Sequence, residues 1–240
     1  LFKKEINRFF STLTAYVVIL VFLLINGLYM WIFPGELNIL DAGYATIDTL
    51  FIISPWVFLF LIPAITMRMF AEEKKAGTMD LLLTRPLSDF QIVLAKYSAA
   101  LALVIFSLIP CLIYFLTVYL LGNPPGNLDT GGTWGSFIGL FLLAATYTSF
   151  GIFSSSITNN IIISLIIAVC ISFFFYTGFD YISHLNIFGK AATFILNLGI
   201  TEHYKSMSRG VIYLRDIIYF ISAVSIFLLF TKTILNKRRW

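Results

Sequence analysis

Arg68-Met69-Phe70-Ala71-Glu72-Glu73-Lys74-Lys75-Ala76-Gly77-Thr78-Met79-Asp80-Leu81-Leu82-Leu83-Thr84-Arg85-Pro86 is a charged island between two long apolar runs. Its reading decides the fold. The 240-residue chain is 59% hydrophobic and only 12% charged, with a mean hydropathy of +0.92, whereas soluble domains carry about 25% charged residues. Charge is excluded from most of this sequence, so so dense a cluster must stand in water, against something outside a membrane. The chain reads as an all-α integral membrane protein.

Outward from the island, a spanning helix needs about 20 mainly apolar residues. Six stretches qualify, at about 13 to 33, 51 to 70, 93 to 121, 136 to 156, 160 to 179 and 212 to 233. Ser54 before Pro55 reads as an N-cap and a first-turn proline within the second stretch. Ser88-Asp89-Phe90-Gln91 has the pattern of a capping box opening the third. Pro63 and Pro110 fall inside spans and predict local kinks packed against neighbouring helices.

The basic residues set the orientation. If both termini are cytoplasmic, one side collects Lys3, Lys4, Arg8, Arg68, Lys74, Lys75, Arg85, Lys96, Lys232, Lys237, Arg238 and Arg239, which is 12 of 16. Lys190, Lys205, Arg209 and Arg215 fall on the other side. The first two outward loops, around Glu36, Asp41, Asp48 and Asp129, hold no Lys or Arg. A net charge of +4 therefore has a topological cause, and with no basic stripe interleaved with aromatics the chain does not read as a nucleic-acid binder.

At the N-terminus Phe2, Ile6, Phe9, Phe10 and Leu13 recur at helical spacing while Lys3, Lys4, Asn7 and Arg8 take other positions. Residues 1 to 12 are expected to form an amphipathic helix in the cytoplasmic interface, the alternative being a charged flank of the first span. Between the fifth and sixth spans, 185 to 200 is apolar but broken by Asn186, Gly189, Lys190, Asn197 and Gly199. A re-entrant or interfacial pair of short helices on the outer side is expected there. The stretch 13 to 33 is longer than a signal-peptide core and lacks an Ala-x-Ala-like exit, and a start other than Met implies that residues precede Leu1.

Enzymatic signatures are missing. Neither Gly-x-x-x-x-Gly-Lys-Ser/Thr nor Gly-x-Gly-x-x-Gly occurs, so those phosphate cradles are not available. His184 and His203 lack the His-Glu-x-x-His spacing of zinc proteases and read as loop or interface residues. Glu72-Glu73 resembles the Glu-Glu-x-x-x-Arg pair of intramembrane CAAX-type proteases, but Gly77 stands at the arginine position. Ser154-Ser155-Ser156 has no neighbouring base and reads as a turn between spans. Cys111 and Cys170 sit in apolar runs and read as two buried small hydrophobes. No span carries a charge near its centre, against a proton relay. Thr146, Thr148, Ser149, Ser164 and Ser172 face either a cavity or, as is usual, their own backbone and neighbouring helices.

Glu72-Glu73-Lys74-Lys75-Ala76-Gly77-Thr78-Met79-Asp80 followed by three leucines, then Pro86-Leu87-Ser88 and Lys96 entering the next span, resembles the signature between the second and third spans of ABC-2 type permeases. Six spans with both ends inside match as well. Within that superfamily the chain is similar to gliding-motility-associated permeases of the GldF type, through Phe2-Lys3-Lys4-Glu5-Ile6-Asn7-Arg8-Phe9-Phe10, the stretch from Thr201 to Asp216, and the tail from Leu229 to Trp240. The resemblance implies a subunit of the bacterial inner membrane with no catalytic, cofactor-binding or metal site of its own. ATP and Mg would be bound by a separate, GldA-like ATPase docking from the cytoplasm, beside a GldG-like second permease in the lipid bilayer.

Carried onto this chain, 71 to 92 would be the cytoplasmic coupling region, with Thr78 to Arg85 a coupling helix seated in a groove of the ATPase. Gly77 and Thr78 suit a turn and an N-cap, Asp80 a helix start, Leu81, Leu82 and Leu83 an apolar knob, and Pro86 a stop. Glu72 and Glu73 would pair with basic residues of the interfacial helix or of the ATPase, unless they simply belong to a solvated loop. Thr158, Asn159 and Asn160 would be a second, shorter contact, and 180 to 211 an outer gate. Export, or work on an envelope machine, is the implied function. The alternatives are a scaffold driven by an ATPase with no cargo crossing, and an intramembrane hydrolase using Glu72 or Glu73.

Overall fold

A computed structural model describes residues 1–79, 87–184 and 192–236. Six helical stretches are long and apolar enough to cross a membrane: Leu13–Trp31, Asp48–Lys75, Asp89–Leu121, Thr130–Ile157, Ile161–Ser183 and Leu214–Asn236. The protein is an all-α, six-span membrane protein, and an even number of spans returns both chain ends to the same side. That side, which also carries residues 67–79 and 87–96, is called the basic end below.

In chain order the helices are α1 (Phe2–Ser11), α2 (Leu13–Trp31), α3 (Ile39–Ala42), α4 (Asp48–Thr66), α5 (Ala71–Lys75), α6 (Asp89–Leu108), α7 (Cys111–Leu121), α8 (Thr130–Ile157), α9 (Ile161–Phe173), α10 (Phe179–Ser183), α11 (Ala192–Leu196), α12 (Ile200–Met207) and α13 (Leu214–Asn236). A π-helical turn, Phe174–Gly178, joins α9 to α10.

Helix α8 is the hub, packed by α4, α6, α9, α12 and α13. Its sequence explains why. Without a hydrophobic drive between helices in lipid, close approach through small residues holds spans together, and α8 is rich in Gly, Ala, Ser and Thr. At Gly151 a β-carbon would collide with Oγ1 of Thr66 on α4, so only glycine permits that crossing. Larger rings fill the wider gaps: Phe150 of α8 lies 4.4 Å from Phe227 of α13 and 5.0 Å from Phe175 of the π-turn. Phe22 of α2 stacks on Phe58 of α4 at 4.5 Å, beside a polar tie in which the Ser54 hydroxyl donates to Oδ1 of Asn26 at 3.2 Å.

Ser54 and Pro55 therefore do not start a helix. Helix α4 begins at Asp48 and runs through Pro55 and Pro63, and Ser54 is committed to α2 instead. Ser88 does cap α6: its hydroxyl accepts from Gln91 N and the Gln91 side chain accepts from Ser88 N. Pro110 falls where α6 gives way to α7, as expected of a residue that cannot donate to the helix ladder. Cys111 is buried, but Cys170 is exposed, because it lies on the face of α9 turned away from α8; the expectation of two buried thiols is corrected at that position.

Of the hydroxyls in the spans, Thr146, Thr148 and Ser149 donate to carbonyls three or four residues back in α8.

Candidate coupling site

Lys96 is fully buried, about two turns into α6. Its ammonium donates to Oε1 of Glu73 at 2.8 Å, to the Met69 carbonyl at 2.7 Å and to Oε1 of Glu5 at 3.0 Å. Three acceptors match three N–H donors, and the Phe70 ring lies 5.1 Å from the charge, within cation–π range. A buried charge with so complete a set of partners is the arrangement under which burial is tolerated.

Each partner comes from a different segment. Glu5 is the one buried residue of α1, Glu73 lies on α5 below α4, and Lys96 lies in the first half of α6. A second pair extends the junction: Arg8 Nη2 lies 2.8 Å from Oε2 of Glu72, both side chains about 40% exposed. A small cavity lined by Glu5, Arg8, Arg68 and Glu72 lies alongside. Spacing explains the placement. Glu5 and Arg8 are three residues apart and share one face of α1, while consecutive Glu72 and Glu73 diverge, one toward each basic partner.

Helix α1 is separate from α2. Thr12 is extended, and its hydroxyl donates to the carbonyls of Arg8 and Phe9 at 3.2 and 3.1 Å. Ile6, Phe9 and Phe10 pack against the core while Phe2 is exposed. Phe10 meets Phe106 of α6 edge-on at 5.4 Å, so α1 is clasped to α6 by rings as well as by charge.

After Lys75 the chain leaves its helix at Gly77, whose φ of 68° places it in the left-handed region that favours glycine. Gly77 N donates to the Lys74 carbonyl at 3.2 Å and Thr78 N to the Glu73 carbonyl at 3.0 Å, the paired bonds of a Schellman stop. Asp80, Leu81, Leu82, Leu83 and Arg85, the core of the expected coupling helix, lie outside the described residues.

The serines 154 to 156 are not a turn. They form the last turn of α8 and are fully buried. Oγ of Ser155 accepts from Phe70 N at 2.8 Å and Ala71 N at 3.0 Å and donates to the Met67 carbonyl at 3.1 Å. It thereby satisfies backbone groups where the second span breaks between α4 and α5, groups that would otherwise be orphaned. Lys74 donates to the Ser156 carbonyl. Thr158, Asn159 and Asn160 make the turn that follows. The Thr158 hydroxyl accepts from Asn160 N at 3.1 Å, and Oδ1 of Asn160 caps α9 through Ile162 N at 2.9 Å.

At the opposite end, His203 is buried on α12 rather than placed in a loop. Its Nδ1 lies 2.7 Å from Oδ1 of Asp216, and its Nε2 lies 2.8 Å from the Asn197 carbonyl. Its ring stacks on Tyr219 at 4.0 Å. The Ser206 hydroxyl donates to the other Asp216 oxygen at 2.7 Å. His184 is exposed. Among the described residues no group of three or more His, Cys, Asp or Glu is placed to hold a metal ion.

Sequence reasoning placed Glu72, Glu73, Gly77 and Thr78 at the site but missed Glu5 and Ser155, and gave Lys96 no partner. A lone lysine in an otherwise apolar span was the available signal, since such a charge requires an acid nearby.

The chain has no match among curated proteins. The family described as ABC-2 family transporter protein matches residues 35–235, a stretch that holds four of the six spans whole, the sixth up to its last residue, and the acidic pair Glu72 and Glu73, with α1 and α2 standing before it. A bundle of six spans, centred on α8 and carrying a polar junction at its basic end, thus coincides with a family match over most of its length: the chain belongs to the ABC-2 family of transporter proteins, as a non-catalytic membrane permease.

Proposed function

We propose that this permease is driven by a separate ABC ATPase docking at the basic end, taken as cytoplasmic, and that the junction around Lys96 passes the ATPase's motion into the spans. The observation that carries this reading is that Glu73 and Lys96, which bracket the segment 74–95, are bonded to each other and to α1. A load applied anywhere on that segment reaches α1, α4 and α6 through one buried cluster, and Ser155 ties the same region to α8. Buried polar clusters of this kind hold their geometry because the alternative is an unpaired charge.

Within this reading Thr78 to Arg85, with Leu81, Leu82 and Leu83 as its apolar knob, is the element that enters the ATPase, and Thr158, Asn159 and Asn160 make the second contact. ATP and Mg belong to the ATPase. The similarity of the chain's two ends to GldF-type permeases supports a GldA-like ATPase, a GldG-like second permease, and work in bacterial gliding motility. Both termini are then cytoplasmic, in the bacterial inner membrane, with 180 to 211 as an outer gate. The positive charge gathered at that end supports the orientation.

The test is to tag the chain, solubilise native membranes in mild detergent and identify what co-purifies. A stoichiometric ABC ATPase and a second permease are expected. Recovery with no nucleotide-binding partner, under conditions that preserve other such complexes, overturns the proposal. Stimulation of ATPase activity by a transported molecule would then separate an exporter from a cargo-free scaffold.

A further inference from the structure

A groove of about 950 Å³ opens at the basic end, between the foot of the second span and the turn joining α8 to α9. Arg68 and Lys75 supply its charge, Asn160 and its neighbours in the turn supply amide and hydroxyl groups, and Ile162 and Leu165 supply an aliphatic side. Both cations are exposed, and no Asp or Glu lines the groove among the described residues. Neither cation has a carboxylate partner among the described residues, since Glu5 and Glu73 are held by Lys96 and Glu72 by Arg8. The N-terminal end of the thirteen-residue helix α9 opens at the same place and adds positive potential of its own.

Position decides what could occupy it. The polar part lies where the spans end, at the depth of lipid headgroups. The aliphatic part belongs to a spanning helix and continues into the bilayer: Ile162 is 69% exposed and Ile166, one turn on, 53%. An acidic surface of a soluble partner could meet the cations but could not follow α9 below the headgroups. A phospholipid can do both, with a phosphate for Arg68 and Lys75 and an acyl chain for α9.

We propose that this groove is a binding site for an anionic phospholipid of the leaflet at the basic end, its phosphate held by Arg68, Lys75 and the 158–160 turn and one acyl chain lying along Ile162 and Leu165. The lipid would then sit between the second span and α9, sharing the 158–160 turn with the contact assigned above to the ATPase while drawing its charge from Arg68 and Lys75, which lie outside both of those contacts. Each cation near an anionic lipid contributes on the order of fivefold in affinity, so losing both weakens binding roughly 30-fold.

The experiment is native mass spectrometry of the full chain, purified in detergent, delipidated, and titrated separately with phosphatidylglycerol, phosphatidylcholine and inorganic phosphate. One phosphatidylglycerol per chain is expected to bind most tightly, roughly 30-fold more weakly to the double variant Arg68→Gln/Lys75→Gln. The charge-conserving Arg68→Lys/Lys75→Arg should restore it, so that a folding defect in the first variant is told apart from loss of the site. Equal binding of phosphatidylcholine, or an unaffected double variant, overturns the proposal. Inorganic phosphate binding as tightly as the lipid would make this a site for a free anion and would overturn it too. No ATPase enters the titration, so its outcome stands apart from that of the coupling reading.

Discussion

Nζ of Lys96 lies 2.8 Å from Oε1 of Glu73, across 23 residues of chain. The two ends of the segment between the second and third spans are thus pinned together before any partner arrives. With Glu5 on the same ammonium, α1 cannot move away from that segment without stranding a buried charge. Replacing Lys96 with Met leaves Glu5 and Glu73 without their shared cation, and breaking a buried pair in this way costs about 3–5 kcal/mol. Thermal unfolding in detergent should show that loss. A double-mutant cycle of Lys96→Met with Glu73→Gln should show strong coupling, because the second change removes one of the stranded charges.

Ser155→Ala removes the acceptor for Phe70 N and Ala71 N and the donor to the Met67 carbonyl. A cost of about 1–3 kcal/mol is expected from buried backbone groups left unsatisfied. Amide exchange should rise over residues 67–75 while α4 above the break stays protected. Uniform exchange across the bundle would mean that Ser155 acts on global stability and not on this joint.

Leu82→Asp lies outside the six spans and should leave them inserted while lowering retention of the ATPase in a pull-down at least about tenfold, in line with loss of a buried anchor at an interface. Retention equal to that of the unmodified chain would remove 78 to 85 as the docking element.

His203→Ala withdraws the partner of both Asp216 and the Asn197 carbonyl. About 1–3 kcal/mol of local stability should be lost, read as faster exchange over residues 192–216. ATPase retention should be unchanged, since the cluster sits at the end opposite the coupling region. If retention falls as well, the two ends are coupled through α8.

Hydropathy alone located the six spans, because a helix in lipid must be apolar over about 20 residues whatever its neighbours are. The capping box at Ser88 was equally legible, being a pattern of local bonds. Ser54-Pro55 misled for the opposite reason: a proline can sit inside a packed span when neighbours satisfy what it frees, and nothing local shows that Ser54 faces Asn26 on another helix. The serines 154 to 156 carry the composition of a turn, yet lie in the helix that every neighbour packs against, where their hydroxyls serve the second span. The Glu5–Lys96 pair joins residues 91 apart, so no spacing rule reaches it; only the isolation of Lys96 in an apolar run hinted that an acid had to come from somewhere. His203 could not be distinguished from a surface histidine until Asp216 and Tyr219 were folded around it.

Of the six spans, α8 has the lowest hydropathy, 1.7 against 2.0 to 2.6 for the others, and the largest buried share, 72%. The glycines and hydroxyls that let its neighbours come close also make it the segment least able to enter a bilayer by itself. Its residence in the membrane must therefore be secured by helices already inserted when it leaves the ribosome, above all α4 and α6, and completed by α9 and α13, which are made later. Defects along the α4–α8 seam, such as a bulkier residue at Gly151, would surface first as failed biogenesis, with the chain degraded before any question of its activity arises.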